Sequence, residues 1–591
     1  MKHKTLLAII LTATALQVPA ATYTSIPNGR TWQDTKGSHI NAHGGCIVWD
    51  NGYYYWFGES RLGMDSNGVG VYRSTDLYNW ENLGLALQLQ GEITNTLQDI
   101  AQGRLVERPK VVYNESTNKY VMWGHWEDGN DYTKARAVVA IADNIEGPYT
   151  FLRTYRPNSQ MSRDQTVFVD EGVAFQIRAS EDNATLHCTR LSDDYTKPTD
   201  NWVRIFAGKQ FEAPAIMRIG DTYFGVFSEC TGWDPNSAHV GMTKKLLSDS
   251  WTDLGNPCVD SGASTTYTSQ STYILKLEGY ENAYMFMADR WNKSDVQTST
   301  YVWLPIHIRT GYPILRWYDN WKTDIFQDMQ RYKRAAEITD GCTYSLLSRL
   351  SDYLVAADGT TGLNVQSDDA KALQIVFEAT DTESEYLLRD AATNLYLEGS
   401  GSSIRLADKS GSTAQTWIFT RQGDSFYTIK NKKLGTMMTI SNGSTDSGTS
   451  VVLEQGSGVA KSKFGVYFDS KTYDYPCNDI FTQTPQQTDI VNNDNNEGGI
   501  DLPSLAAPTQ LTVVATGNHT FALRMPSEMC DSEVMLSVFN AAGALVSQTI
   551  IAPDSVSGEA EFALPAATPA GLYIIRAADS HSQATTKIIL K

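Results

Sequence analysis

The chain reads as an all-β protein: a five-bladed β-propeller, then a β-trefoil, then a small C-terminal β-sandwich. Three observations predict this. Aromatic residues make up 11% of the 591 positions, while long amphipathic helical patterns are nearly absent. Five similar strand patterns follow one another in the first half. A shorter pattern then occurs three times after Cys342.

The five patterns are Asn51-Gly52-Tyr53-Tyr54-Tyr55-Trp56-Phe57, Asn118-Lys119-Tyr120-Val121-Met122-Trp123, Glu171-Gly172-Val173-Ala174-Phe175, Gly220-Asp221-Thr222-Tyr223-Phe224-Gly225-Val226-Phe227 and Glu281-Asn282-Ala283-Tyr284-Met285-Phe286-Met287. Each is a polar turn followed by aromatic and β-branched residues, which suit a half-buried pleated strand. They recur at intervals of about 50–65 residues, the length scale of one propeller blade. The propeller is expected over residues 22–330.

Ahead of it, Lys2, His3 and Lys4 precede an apolar run over 6–16 and the small-residue stretch Val18-Pro19-Ala20-Ala21. This is the pattern of a secretory signal peptide over residues 1–20. The run is too short to span a bilayer, and no later segment reads as transmembrane.

The three later units start at Tyr353-Leu354, Tyr396-Leu397 and Met437-Met438. They end on Gln374-Ile375-Val376, Gln415-Thr416-Trp417 and Ser462-Lys463-Phe464. Three such units predict a trefoil over 335–470. It resembles the ricin-type carbohydrate-binding trefoil, although the Gln-x-Trp signature is intact in the middle unit alone. Residues 482–503 are rich in Gln, Asn, Asp, Gly and Pro and read as a linker.

The segment 504–591 has short alternating strands and reads as a β-sandwich. Val538-Phe539-Asn540-Ala541-Ala542-Gly543, Pro569-Ala570-Gly571-Leu572-Tyr573 and the terminal run 587–591 resemble the C-terminal sorting domain of type IX secretion substrates in Bacteroidetes. That resemblance implies the type IX secretion machinery as a partner, and a secreted or cell-surface location.

A net charge of −19 and a pI near 4.9 argue against nucleic acid as a partner, since its phosphates would be repelled. They suit a neutral polysaccharide. The seven cysteines are widely spaced with no CxxC pair, so no zinc ribbon is expected and most read as buried small apolar residues. No calcium loop is recognisable, and neither a metal nor a cofactor is expected.

Acidic residues from different blades can converge on a propeller's axis, and glycosidic bond cleavage uses carboxyl groups on both sides of the bond. Glu212 precedes Ala213-Pro214 and follows Phe211. A carboxyl in such partly apolar surroundings should have a raised pKa, as a general acid needs. Asp164, in Ser162-Arg163-Asp164, would raise that pKa further by like-charge repulsion, or pair with Arg163. Glu107, in Glu107-Arg108-Pro109-Lys110, repeats the Glu-x-Pro pattern and could accept hydrogen bonds from two sugar hydroxyls.

Trp126, Tyr132, Trp233 and Trp291 are candidate stacking surfaces for a sugar ring. Trp233 lies in the polar turn Thr231-Gly232-Trp233-Asp234-Pro235-Asn236, which adds Asp234 and Asn236 to the candidates. His43 lies beside Gly44-Gly45, where backbone can approach a ligand closely.

Ala42-His43-Gly44-Gly45, Glu107-Arg108-Pro109-Lys110-Val111, Ser162-Arg163-Asp164, Glu212-Ala213-Pro214-Ala215, Cys230 to Asn236, Ser269-Gln270-Ser271-Thr272-Tyr273, Asp289-Arg290-Trp291 and Tyr301-Val302-Trp303-Leu304-Pro305 resemble glycoside hydrolase family 43. The resemblance is greatest to its exo-β-1,3-galactanase branch. It implies a five-bladed propeller, an inverting mechanism, Glu212 as general acid and Asp164 as the residue that tunes and orients it. Most of the family supplies a base from an Asp in the first blade, where this chain has His43-Gly44-Gly45. In the galactanase branch a Gln, here Gln270, is thought to hold or activate the water. Glu107 is the alternative base, or a sugar-binding residue.

The expected function is therefore exo-hydrolysis of β-1,3-galactan, the backbone of type II arabinogalactan. The alternatives are another family 43 activity, α-L-arabinofuranosidase or β-xylosidase, and a non-catalytic carbohydrate-binding protein.

Overall fold

Residues 22–472, apart from 281, 336, 457 and 458, and the strands with their flanking positions within 511–590, are described by a computed structural model. The expected signal peptide and linker lie outside the described residues.

Alternating aromatic and β-branched residues build five four-stranded antiparallel sheets in chain order. Their first strands are His43–Asp50, Leu105–Asn114, Gln165–Asp170, Phe211–Ile219 and Gln270–Lys276. Each first strand packs against the next, and the fifth packs against the first. The result is a closed ring, a propeller-type fold. Apolar clusters fill the gaps between neighbouring sheets. The gap between the fifth and first sheets is the most aromatic, with Trp32, Trp56, Trp80, Tyr301 and Trp303 in mutual contact. The strand pair Ile26–Pro27 and Asn320–Trp321 joins the two ends of this region.

One local device recurs where the ring strands begin. The pairing register shifts between His43 and Cys46, between Glu107 and Lys110, and between Glu212 and Ala215. Each shift is a β-bulge, which re-aims the side chain before it. Inside the bulges Gly44, Arg108 and Ala213 have φ of 61°, 50° and 51°. Left-handed backbone at Arg108 and Ala213 is costly for residues with a Cβ, and such strain clusters at functional sites. Pro109 and Pro214 fit here because a bulged position can lack a ladder N–H. At Gly44 a Cβ would lie 2.4 Å from Glu59 Oε1, so glycine is required.

Residues 332–469 form the trefoil, a 13-stranded antiparallel sheet system around one core. Gln415 and Trp417 of the intact signature are both buried. Gln415 bonds Asp408 O and Ser410 N, and Trp417 donates to Leu397 O. The signature therefore holds the fold here. The trefoil is fastened to the fifth sheet by a buried ionic cluster. Asp352, fully buried, receives Arg309 Nε and Arg316 Nη2 at 3.0 Å each, and Arg309 also reaches Asp369 at 2.6 Å.

In the C-terminal region, Thr512–Ala515, Thr520–Arg524 and Glu559–Ala563 form one antiparallel sheet. Val534–Asn540, Leu545–Ile551, Gly571–Ala578 and Gln583–Leu590 form another. Phe521, Leu536, Phe562 and Ile575 lie in their shared core. Among the described residues Cys46, Cys188, Cys230 and Cys258 are free, and all but Cys230 are buried. No helix among them is long and apolar enough to cross a membrane.

Removing one partner of a buried ion pair leaves the other charges uncompensated, at a cost of roughly 3–5 kcal/mol. Asp352→Ala should therefore lower the stability of residues 22–472 by about that amount in urea unfolding. It should do so although Asp352 lies outside the propeller sheets. A loss below about 1 kcal/mol, the usual worth of an exposed pair, would show that the cluster does not fasten the two regions.

Candidate active site

The bulged strand starts aim Glu107, Glu212 and their neighbours at one end of the ring. Glu212 is buried, and two amides hold its carboxyl: Gln270 Nε2 donates to Oε1 at 2.9 Å and Asn183 Nδ2 to Oε2 at 3.0 Å. Burial, followed by the Asp164 charge, pushes the Glu212 carboxyl up to about 7, against the opposing pull of Arg108. A carboxylic acid poised there can deliver a proton near neutral pH.

Asp164 lies just before the third ring strand and pairs with Arg108 Nη2 at 2.8 Å. Of the two alternatives for Asp164, pairing with Arg163 does not occur, because Arg163 reaches Asp182 at 2.9 Å. Arg108 also donates to Ser271 O at 2.9 Å and to Gln270 Oε1 at 2.5 Å, and its guanidinium lies over the Trp291 ring.

Gln270 is saturated. Its Nε2 serves Glu212 and, at 3.0 Å, Ser228 Oγ. Its Oε1 accepts from Arg108 and, at 2.9 Å, from Trp291 Nε1. Two N–H donors on the oxygen fix the amide orientation and favour the ordinary amide over a form protonated on oxygen.

Glu107 sits in a different environment. Oε1 receives Arg61 Nη2 at 2.6 Å and the Tyr132 hydroxyl at 2.9 Å, and Oε2 lies 3.3 Å from His125 Nδ1. Burial alone would raise its carboxyl, but His125 and Arg61 outweigh that and hold it well below the usual carboxylate range. So strongly stabilised an anion is a weak base and a good hydrogen-bond acceptor. Tyr132, 42% exposed, puts an aromatic face beside it.

Beside Gln270 lies a shallow open cleft walled by Trp233 and Trp291, with Asp234, Asn236 and Asp289 also in its lining. Trp233 meets Trp291 edge-on, with centroids 5.4 Å apart. Asn236 is spent on the loop itself, bonding Glu229 and Thr231. Asp234 is exposed and pairs with Lys293 at 2.8 Å.

Two expectations for sugar contacts are corrected. Trp126 is fully buried in the core between the first two sheets and donates to Asp99 O. A tryptophan in the interior of a pattern strand packs between sheets rather than facing a groove. His43 is also fully buried. It stacks on Tyr301 at 5.3 Å and packs against Trp291, which leaves no surface for a sugar ring.

Arg108, Asn183, Ser228 and Asp289 were not among the candidates. Ser228 is the register partner of Glu212 and Asp289 that of Gln270, so strand pairing could have pointed to both. Asn183 sits in the turn Glu181-Asp182-Asn183, where all three residues have positive φ. Its sequence signal is that of a turn alone.

This arrangement fits a glycosidase site: a carboxyl raised to about 7, a second acidic residue close to it, the buried Glu107 paired with a cation, and an aromatic-walled cleft. The profile described as Glycosyl hydrolases family 43 matches residues 42–275, and that described as Ricin-type beta-trefoil lectin domain-like matches residues 371–454. A solved GH43 beta 1,3 galactosidase is 45% identical, covers 78% of this chain and 98% of its own, and superposes with a TM-score of 0.74. A solved exo-beta-1,3-galactanase from Clostridium thermocellum is 30% identical over 75% of this chain and 99% of its own, with a TM-score of 0.49. None of the curated proteins searched matches. The chain belongs to glycoside hydrolase family 43 and is a glycosyl hydrolase.

A proton donor near 7 makes kcat/KM fall as pH rises through that value, because the ionised Glu212 has no proton to give. Asp164→Asn removes the like charge that disfavours ionisation, so the Glu212 pKa should drop and the descending limb move to lower pH. A limb that stays in place or moves upward in a pH–kcat/KM series would contradict the Asp164 role.

Proposed function

We propose that this chain is a secreted, inverting exo-hydrolase of β-1,3-linked galactan. The observation that carries the reading is Glu212, its carboxyl pushed up to about 7 by burial and by Asp164 and oriented by Gln270 and Asn183. The substrate assignment draws on the 45% identical relative whose name gives a β-1,3-galactosidase. The five sheets are read as the blades of a five-bladed propeller. The two C-terminal sheets are read as a sandwich that serves type IX export.

Within this reading Glu212 protonates the departing glycosidic oxygen, and Asp164 keeps its proton in place until needed. Glu107 accepts hydrogen bonds from sugar hydroxyls, assisted by Tyr132. Gln270 orients the acid. Trp233 and Trp291 receive the apolar face of a ring. The trefoil keeps the enzyme on its polymer and so raises the local substrate concentration.

Thin-layer analysis of digests tests the linkage. Galactose should be released from β-1,3-galactan and not from β-1,4- or β-1,6-galactan. Glu212→Gln should lower kcat by about 10²–10⁴-fold on galactan and much less on aryl galactosides with activated leaving groups, which depart unprotonated. An equal, small loss on both would remove Glu212 from the acid role.

Glu107→Gln tests the other assignment. It should raise KM more than it lowers kcat, since it weakens a contact made in ground and transition states alike. An unchanged KM with no turnover would instead make Glu107 the base.

A further inference from the structure

The acid has one further neighbour. In the fourth sheet Glu212 pairs with Ser228. Cys230 follows two residues later, just past the end of the strand Thr222–Glu229, and so stands diagonally across from Glu212. Side chains at such diagonal positions come within reach of each other. The same turn then runs on through Gly232 to Asn236, which line the cleft.

The Cys230 Sγ lies 3.9 Å from Asn183 O, and it is also in hydrogen-bonding contact with the Glu212 carboxyl. Asn183 is the residue whose Nδ2 holds Glu212 Oε2 at 3.0 Å. Carboxyl, Asn183 and thiol therefore form a closed triangle. Cys230 is free and half-buried, whereas Cys46, Cys188 and Cys258 are buried. Burial, followed by the Glu212 charge, holds the Cys230 thiol well above its ordinary range. It therefore keeps its hydrogen through neutral pH and is a donor, not a nucleophile.

One thiol hydrogen thus has two acceptors, Asn183 O and the Glu212 carboxyl. We propose that Cys230 is a positioning residue for the acid, whose S–H turns from Asn183 O to the Glu212 carboxylate as the acid gives up its proton. Gln270 and Asn183 donate from planar amides with fixed directions, while a thiol hydrogen rotates about its C–S bond. The contact strengthens as negative charge develops on the carboxylate, so it favours the state formed at proton delivery.

The charges that face this pair fix the sign of the effect. Burial and the Asp164 charge raise the Glu212 carboxyl, and Arg108, Cys230 and Gln270 pull against them. Arg108 is itself faced by Asp164, Glu59 and Asp289, and Cys230 by Asp164 and Arg163. Losing the thiol donor removes one stabiliser of the carboxylate and leaves those charges unaltered. The Glu212 pKa should then rise, and the descending limb of kcat/KM should move to higher pH.

The test compares Cys230→Ala with Cys230→Ser in a pH–kcat/KM series on an aryl β-galactoside. Cys230→Ala should move the descending limb upward by about half a pH unit, the worth of a weak hydrogen bond to a charge. Cys230→Ser keeps a rotatable donor, so its limb should stay at or below the wild-type position. An alanine limb that stays within about 0.2 unit of wild type or moves down overturns the proposal. So do alanine and serine limbs that move up together, which would report altered packing and not a lost donor.

The inference rests on the hydrolase reading above, and the two fail separately. If the wild-type chain cleaves neither galactan nor an aryl β-galactoside, that reading fails, and a measurement without turnover decides the inference. Iodoacetamide alkylates a thiolate with loss of iodide, and peptide mass mapping follows the rate at Cys230. Glu212→Gln removes the neighbouring anion, so Cys230 should be alkylated at least about threefold faster at pH 8 than in wild type. Equal rates in the two proteins overturn the contact, and with it the proposal.

Discussion

The active end of the ring depends on one buried cation. The Arg108 guanidinium leaves the second sheet, binds Asp164 at the third, and binds Gln270 and Ser271 O of the fifth. Its backbone N–H is taken by Glu59 of the first sheet at 2.9 Å. Interactions of a charge are strong where water is excluded, so this residue sets the mutual positions of the groups that surround Glu212. The left-handed backbone at Arg108 makes this reach possible. The bulge at Glu212 and Ala213 is the same device one sheet-pair further round. Glu212 is thus oriented by a network drawn from several sheets, not by its own strand alone.

That network explains why some of the site was legible in the sequence and some was not. Glu212, Asp164, Glu107 and Gln270 all stand at or just before the start of a ring strand, whereas the repeated aromatic patterns occupy the second strand of each sheet, so the short motifs around these residues marked them and the patterns marked only the sheets. The Glu-x-Pro spelling at two of them reflects the bulge that the proline tolerates. Arg108 was visible as a neighbour of Glu107, but its role comes from residues 56 and 162 positions away that meet only when the ring closes. Asp289 is similar: its carboxyl works at Gly44, 245 positions distant.

Trp126 shows the opposite limit. Aromatic residues at strand positions are equally suited to a core and to a sugar platform, and only inter-sheet packing separates the two. The trefoil was legible from its three repeats. Its union with the propeller through Asp352, Arg309 and Arg316 was not, because buried charges in a loop and a strand end carry no periodic signal. That union ties the trefoil to the loop and strand end that follow the fifth sheet's outer strands.

The central claim is that a proton donor and a proton acceptor act from separate sides of the bond, with no covalent intermediate. The configuration of the first product tests this most directly. Proton NMR during the first minutes of galactan hydrolysis should show α-galactose forming first, with the β-anomer appearing later at the rate of mutarotation. Initial release of β-galactose would mean that a carboxylate acts as a nucleophile, and would contradict the account.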